Sequence, residues 1–222
     1  MSGDKQEGVV PNSDYQRINL TGSTTSQVSR WLRADLSMQY VMADNNQTFK
    51  GSNGPLLGLL LWPRTDDAKD WLTPSGNRRR LTTLAAASEV DNPYFNVEKN
   101  QINSKNSRLI SNLGLILTPF SWVSVKSNLG MDGYTNENLI LRHPESAYGN
   151  SNNGILDQAN DVVRNLNAQT LVNFEPYTLG KGFSINGLLG NQISDFKSTT
   201  QAIQGLDFLD PNFVSANNTN SR

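Results

Sequence analysis

The chain has 222 residues, of which 36% are apolar and 18% charged, with a formal net charge of −1, one His and no Cys. Zero Cys excludes disulfide scaffolds, thiolate metal sites and Cys nucleophiles, and the near-neutral charge leaves no electrostatic footprint for nucleic acid. Its 28 Asn, 22 Ser and 15 Thr leave a conventional enzyme core thin, and no apolar run approaches the ~18 residues of a spanning helix. The first ten residues, MSGDKQEGVV, also lack the basic and apolar regions of a signal peptide.

Taken in chain order, the first element is a strand near 14–26, where Ile18, Leu20, Gly22 and Thr24 alternate with Arg17, Asn19, Thr21 and Ser23. A second, near 31–43, sets Leu32, Ala34, Leu36, Met38, Tyr40 and Met42 against Arg33, Asp35, Ser37 and Gln39. Period two favours a strand over a helix, whose apolar positions recur at three and four. Only Gln27 to Arg30 separates the runs, which reads as a hairpin. After a long loop from about 44 to 106 the unit returns near 107–117 and 122–134, broken by Thr118 to Ser121. A second long loop, about 135–160, leads to strands near 161–175 and 183–197 around a turn at Pro176 to Gly182.

The fold class is therefore all-β, an antiparallel up-and-down meander of about six long strands with short turns at one end and long loops at the other. Strands of eleven residues or more exceed the five or six usual in soluble sheets. At about 3.3 Å per residue and a tilt near 40° they match a ~25 Å apolar band, so the meander reads as part of a larger transmembrane β-barrel. The alternation predicts Leu36, Met38, Val125, Leu129, Val172 and Leu189 on one face, with Asp35, Gln39, Lys126, Asn128 and Asn173 on the other. Aromatics predict two interfacial girdles, Trp31, Phe120, Trp122 and Phe183 beside the short turns and Tyr15, Tyr40, Tyr134 and Phe196 towards the long loops; the alternative is that they cap the core of a soluble β-sandwich.

The loop from Gly51 to Arg80 holds the candidate binding residues Trp62, Arg64, Asp66, Asp67 and Trp71. Exposed Trp beside mixed charges suits stacking on sugar rings or gripping a peptide; the alternative is a self-packed loop covering the apolar run Leu56 to Trp62. Trp62 closes that run before Pro63 and is expected to pack on it, which leaves Trp71 as the better ligand candidate. Arg78, Arg79 and Arg80 read as a solvated or lipopolysaccharide-facing charge cluster, too short for nucleic acid. His143 lacks triad or zinc partners, Gly54 to Gly58 lacks the Lys-Ser/Thr ending of a phosphate loop, and Asp66, Asp67 and Asp70 lack calcium-loop spacing. No enzyme activity, cofactor or metal is expected.

The stretches Asp14 to Leu20, Ser29 to Arg33, Asp91 to Phe95 and Leu113 to Trp122 together resemble the SusC/RagA family of TonB-linked outer-membrane proteins. The resemblance implies that residues 1–222 are a partial TonB-dependent transporter barrel domain, a middle section with the plug and closing strand unmatched. About 22 strands are needed to close around a plug, so a fragment is expected. By the same resemblance the segment would serve a nutrient importer for oligosaccharides or peptides in the bacterial outer membrane. Its partners would be a SusD-like lipoprotein lid, the TonB complex acting through the plug, the substrate and membrane lipid. Arg33, Asp35, Gln39, Lys126, Asn128, Asn167, Gln169 and Gln192 would line the lumen. The competing reading is a soluble or surface-attached β-rich glycan-binding module, which requires a closed core and polar solvent-facing strands.

Overall fold

The alternation folds as one antiparallel sheet in a computed structural model whose described residues are 1–80, 89–180 and 182–222. Eight strands lie in chain order: β1 (Ser2–Glu7), β2 (Asp14–Ser29), β3 (Leu32–Gln47), β4 (Gln101–Phe120), β5 (Val123–Arg142), β6 (Ile155–Gly180), β7 (Phe183–Phe208) and β8 (Thr219–Ser221). The six long strands are those expected from the alternation, and the short β1 and β8 flank them. No helix among the described residues is long and apolar enough to cross a membrane.

The long strands outrun their predicted ends. β5 continues to Arg142 and β6 starts at Ile155, so the second long loop shrinks to residues 143–154. Each extension begins in a run that is polar on both faces, Thr135 to Asn138 in β5 and Asp157 to Asn160 but for Ala159 in β6, and alternation reports only one-sided burial. Side-chain amides hold the ladder there instead: Ser104 Oγ donates to Asn138 at 2.8 Å, and Asn103 Nδ2 donates to Asp44 at 2.7 Å and Asn46 at 2.6 Å. The expected turn at Pro176 to Gly182 is also shorter. Pairing crosses Pro176 through a bulge between Phe174 and Tyr177 and ends at Gly180 with Phe183, the bulge absorbing a residue that cannot donate to the ladder.

Register fixes the faces. Leu36 pairs with Leu113, Leu113 with Leu129, Leu129 with Ala168 and Ala168 with Ile193, so these residues form one cross-strand row. Leu32, Leu117, Val125, Val172 and Leu189 form another on the same face. All six residues predicted to share the apolar face do so, and the five predicted opposite them lie on the other face. Apolar side chains on that face, such as Leu36, Leu129 and Leu189, remain 46–64% exposed, with no second sheet over them among the described residues. This is not the closed core that the soluble-module reading requires. Burial is concentrated at the long-loop end, where Leu141, Leu156 and Phe208 meet, and inside the loops around Phe95.

Among the described residues of the β3–β4 loop, two short α-helices form. α1 (Pro55–Leu61) opens on Pro, whose missing N–H costs nothing at that position. α2 (Pro93–Lys99) is capped by Asn92, whose side chain accepts from the Tyr94 and Phe95 amides. Gly58 is buried where α1 approaches this cap, and a Cβ there would lie 2.4 Å from the Asp91 carbonyl. The glycine needed for close approach explains a motif that superficially suggests a phosphate loop.

Candidate functional site

Two features could carry function: the amphipathic wall and the cap built by its loops. On the apolar face, the last apolar residue before polar ones is Met42 in β3, Leu109 in β4, Met131 in β5, Leu166 in β6 and Ile193 in β7. Ile193 lies on the row of Leu36, about six residues short of Met42, so the border descends about 1.5 residues per strand. The turn edge descends in parallel: Leu32 opens β3 on the row of Leu189, and β7 begins about six residues further along at Phe183. The apolar band therefore keeps a constant width of about nine to eleven residues while crossing the sheet diagonally.

Aromatics mark the turn edge of that band. Phe120 stacks on Trp122 at 5.6 Å and Trp122 on Phe174 at 6.3 Å, while Trp31, Phe120, Trp122 and Phe183 are all exposed. The second predicted girdle requires correction. Only Tyr40 lies on the apolar face; Tyr15, Tyr134 and Phe196 fall on the opposite one by parity. Chain position gives height along a strand, whereas register gives facing.

The opposite face is polar. Arg33, Asp35, Gln39, Lys126, Asn128, Asn167, Gln169 and Gln192 all share it. Its charges are partly self-paired, with Arg108 gripping Asp132 through two bonds of 2.8 and 2.6 Å. A groove of about 440 Å³ on this face brings together Tyr15, Arg17, Gln39, Asn106 and Arg108.

The cap joins the β3–β4 loop to the loop at 143–154. Its hub is Arg78, whose guanidinium donates to Glu89 at 2.7 Å and Asp91 at 2.5 Å and lies 5.8 Å over the Phe95 ring. Asp91 also accepts from Ser146 Oγ at 2.5 Å, the Ala147 amide at 2.7 Å and Asn100 at 3.2 Å. The Arg78 amide reaches Glu145 at 2.6 Å. Arg78 is thus not part of a solvated cluster. Its side chain is 4% exposed, because two carboxylates and an aromatic face compensate its desolvation. Arg80 stays exposed against Glu89.

Trp62 is buried, with Arg79 5.8 Å over its ring. The leucines it was expected to cover face outward instead: Leu56, Leu59, Leu60 and Leu61 are exposed. Trp71 is half-buried, edge-on to Phe95 at 6.0 Å. Asp66 is clamped by Arg79, whose hydrogen bonds hold its carboxyl below the usual range. Asp67 accepts from the Lys69 amide at 3.0 Å, and Arg64 is exposed. The loop therefore brings Trp62 and Asp66 together around Arg79, while Trp71 belongs to the Phe95 cluster. Sequence reasoning missed the buried network of Arg78, Glu89, Asp91 and Ser146, whose members come from separate loops.

His143 also enters this cluster, its ring edge-on to Phe95 at 5.6 Å and its Nδ1 accepting from the Glu145 amide at 3.2 Å. Burial lowers its pKa, Lys99 adds to the shift, and Glu145, Pro211 and Asp91 oppose it. Unfolded cap would take up a proton near pH 6.5, whereas folded cap binds it only at lower pH. The stabilisation is therefore full above about pH 6.5 and falls as pH drops below it. Limited proteolysis of the cap in the intact protein should accelerate from pH 7.5 to 5.5, and His143→Gln should flatten that dependence.

Solved structures share this fold. The chain superposes on the RagAB peptide importer in its closed-closed state with a TM-score of 0.66 at 14% identity, covering 95% of this chain and 23% of that one. The same importer in its open-open state gives 0.64 at 13%, with 95% and 23% covered. A further structure of the RagAB peptide transporter gives 0.62 at 14%, with 95% and 24% covered. The chain thus spans about a quarter of the length of these chains. No protein-family model and no curated protein matches it.

Proposed function

We propose that the chain is a wall-and-cap segment of an outer-membrane, SusC/RagA-like TonB-dependent importer for oligosaccharides or peptides. The observation that carries this reading is the diagonal apolar band. A border moving about 1.5 residues per strand climbs about 5 Å for each ~4.8 Å step between strands, which corresponds to a tilt near 45°. Spanning strands tilt by about 35–45°, and about nine to eleven residues cross the hydrocarbon at such a tilt. A soluble sheet has no reason to keep two parallel oblique borders. The apolar face would meet lipid, the Asn- and Gln-rich face the lumen, and the cap would stand outside the membrane.

In this reading no residue of the segment performs covalent chemistry. The lumen face supplies mainly amide hydrogen-bonding groups beside a few charges, and the cap supplies Trp71, Arg64 and Asp67 near the entrance, with Trp62 and Asp66 held beneath them by Arg79. A SusD-like lipoprotein lid would close over the cap, and a TonB complex would act through a plug from elsewhere in the transporter. Ligand contact by Trp71 is tested in the intact transporter. Trp71→Ala should weaken binding of an oligosaccharide or peptide substrate by roughly 0.5–1.5 kcal/mol in calorimetry if the stack resembles an aromatic pair. Cap protection should persist, measured in parallel by hydrogen exchange. Unchanged affinity would remove Trp71 from the site.

A further inference from the structure

We propose that the groove on the polar face, level with the long-loop edge of the apolar band, is a subsite for one ring of a neutral oligosaccharide; this rests on the importer reading above and chooses between its two cargo classes. The groove encloses about 440 Å³. In register, Ala43 sits between Arg17 and Asn106, with Tyr15 and Asn45 one row outward and Val41 one row inward. The short side chain at the centre makes the depression. Tyr15 is half-buried, and its ring stacks on no other aromatic ring among the described residues.

Neighbouring amides have already used part of the hydrogen-bonding capacity around it. Gln39 Nε2 is committed to Asn19 at 3.1 Å and Asn106 Nδ2 to Asn136, so each carbonyl oxygen is left as an acceptor. Arg108 commits Nε and Nη2 to Asp132 and keeps Nη1 as a donor. Acceptors and donors in one depression suit hydroxyl groups, each of which both donates and accepts. Charge selects no ion, since Asp132 neutralises Arg108 and Asp4 is the register partner of Arg17. A sugar ring places its C–H face on Tyr15 and its hydroxyls on the amides, whereas a peptide brings charged termini to a wall without net charge.

The other lumen-facing aromatics extend the site. Tyr134 lies three strands from Tyr15 and four residues further along, and Phe196 lies two strands and two residues beyond that. Their line descends about 1.2 residues per strand, nearly parallel to the border of the apolar band, so the three rings stand at almost one height. Successive rings are roughly 20 and 12 Å apart in the plane of the sheet. Phe196 is 67% exposed on a face otherwise built of amides. Aromatic faces repeated at one level of a polar wall form a track along which a chain of sugar rings can lie.

The test presents the intact protein in phosphatidylcholine nanodiscs to an array of neutral oligosaccharides, acidic oligosaccharides and peptides, and titrates the best-bound neutral sugar by calorimetry. Neutral sugars should dominate the array. Tyr15→Ala should weaken the titrated sugar about fivefold, the loss of one aromatic stack. Tyr15→Phe should bind nearly as wild type, because the ring supplies the platform. Ile18→Ala, on the opposite face of the same strand, should leave affinity unchanged. Full affinity of Tyr15→Ala, capture of peptides or acidic sugars in place of neutral ones, or capture of nothing would overturn the site. Bilayer insertion is measured separately. Any of those results with normal insertion defeats this site alone, whereas failure of wild type to insert defeats the membrane reading with it.

Discussion

Arg78→Met is expected to cost the cap about 3 kcal/mol, towards the lower end of the range for removing one partner of a buried ion pair. Glu89 and Asp91, with side chains 4% and 1% exposed, would lose their shared cation. The loss stays at the lower end because Arg80 still reaches Glu89, and Ser146, Ala147 and Asn100 still donate to Asp91. Lys at position 78 should rescue little, since a point charge cannot reproduce a planar fork that serves two carboxylates and covers the Phe95 ring. Adding Asp91→Asn to the Met variant should recover part of the loss by removing one stranded charge. Hydrogen exchange across 89–100 and 143–154 would accelerate while β3 to β6 amides keep their protection. An unchanged cap would show that the network does not hold the two loops together.

The second large effect lies in the wall. Leu36 stands mid-band on the apolar face and Gln39 on the polar one. In the intact protein Leu36→Arg should destabilise by about 2–4 kcal/mol and Gln39→Arg by much less, because only the first places a guanidinium in hydrocarbon. Denaturant unfolding from a bilayer gives both values. Equal losses would refute a lipid-facing surface, since the two positions differ in facing far more than in depth.

The strands and their facing were legible because one-sided burial writes itself as alternation: Leu32 to Met42 could only be a strand, and parity alone separated Leu36 from Gln39. The aromatic edge at Trp31, Phe120 and Trp122 was equally readable, since proximity to a turn fixes height. Tyr15, Tyr134 and Phe196 were misjudged as interfacial because height was read and parity was not.

The cap shows the limit. Arg78, Glu89, Asp91, Asn100 and Ser146 are ordinary polar residues in their local surroundings, and nothing in their spacing marks them as buried. They become a network only when the β3–β4 loop folds against the loop after β5, pairing residues up to 67 positions apart. The sequence by itself determined which residues form strands and which face they share, because these follow from local geometry and a two-residue period. Only the tertiary structure decided how far each strand is displaced against its neighbours, and hence the oblique band, and which loop charges lose their water, because both depend on contacts between distant segments.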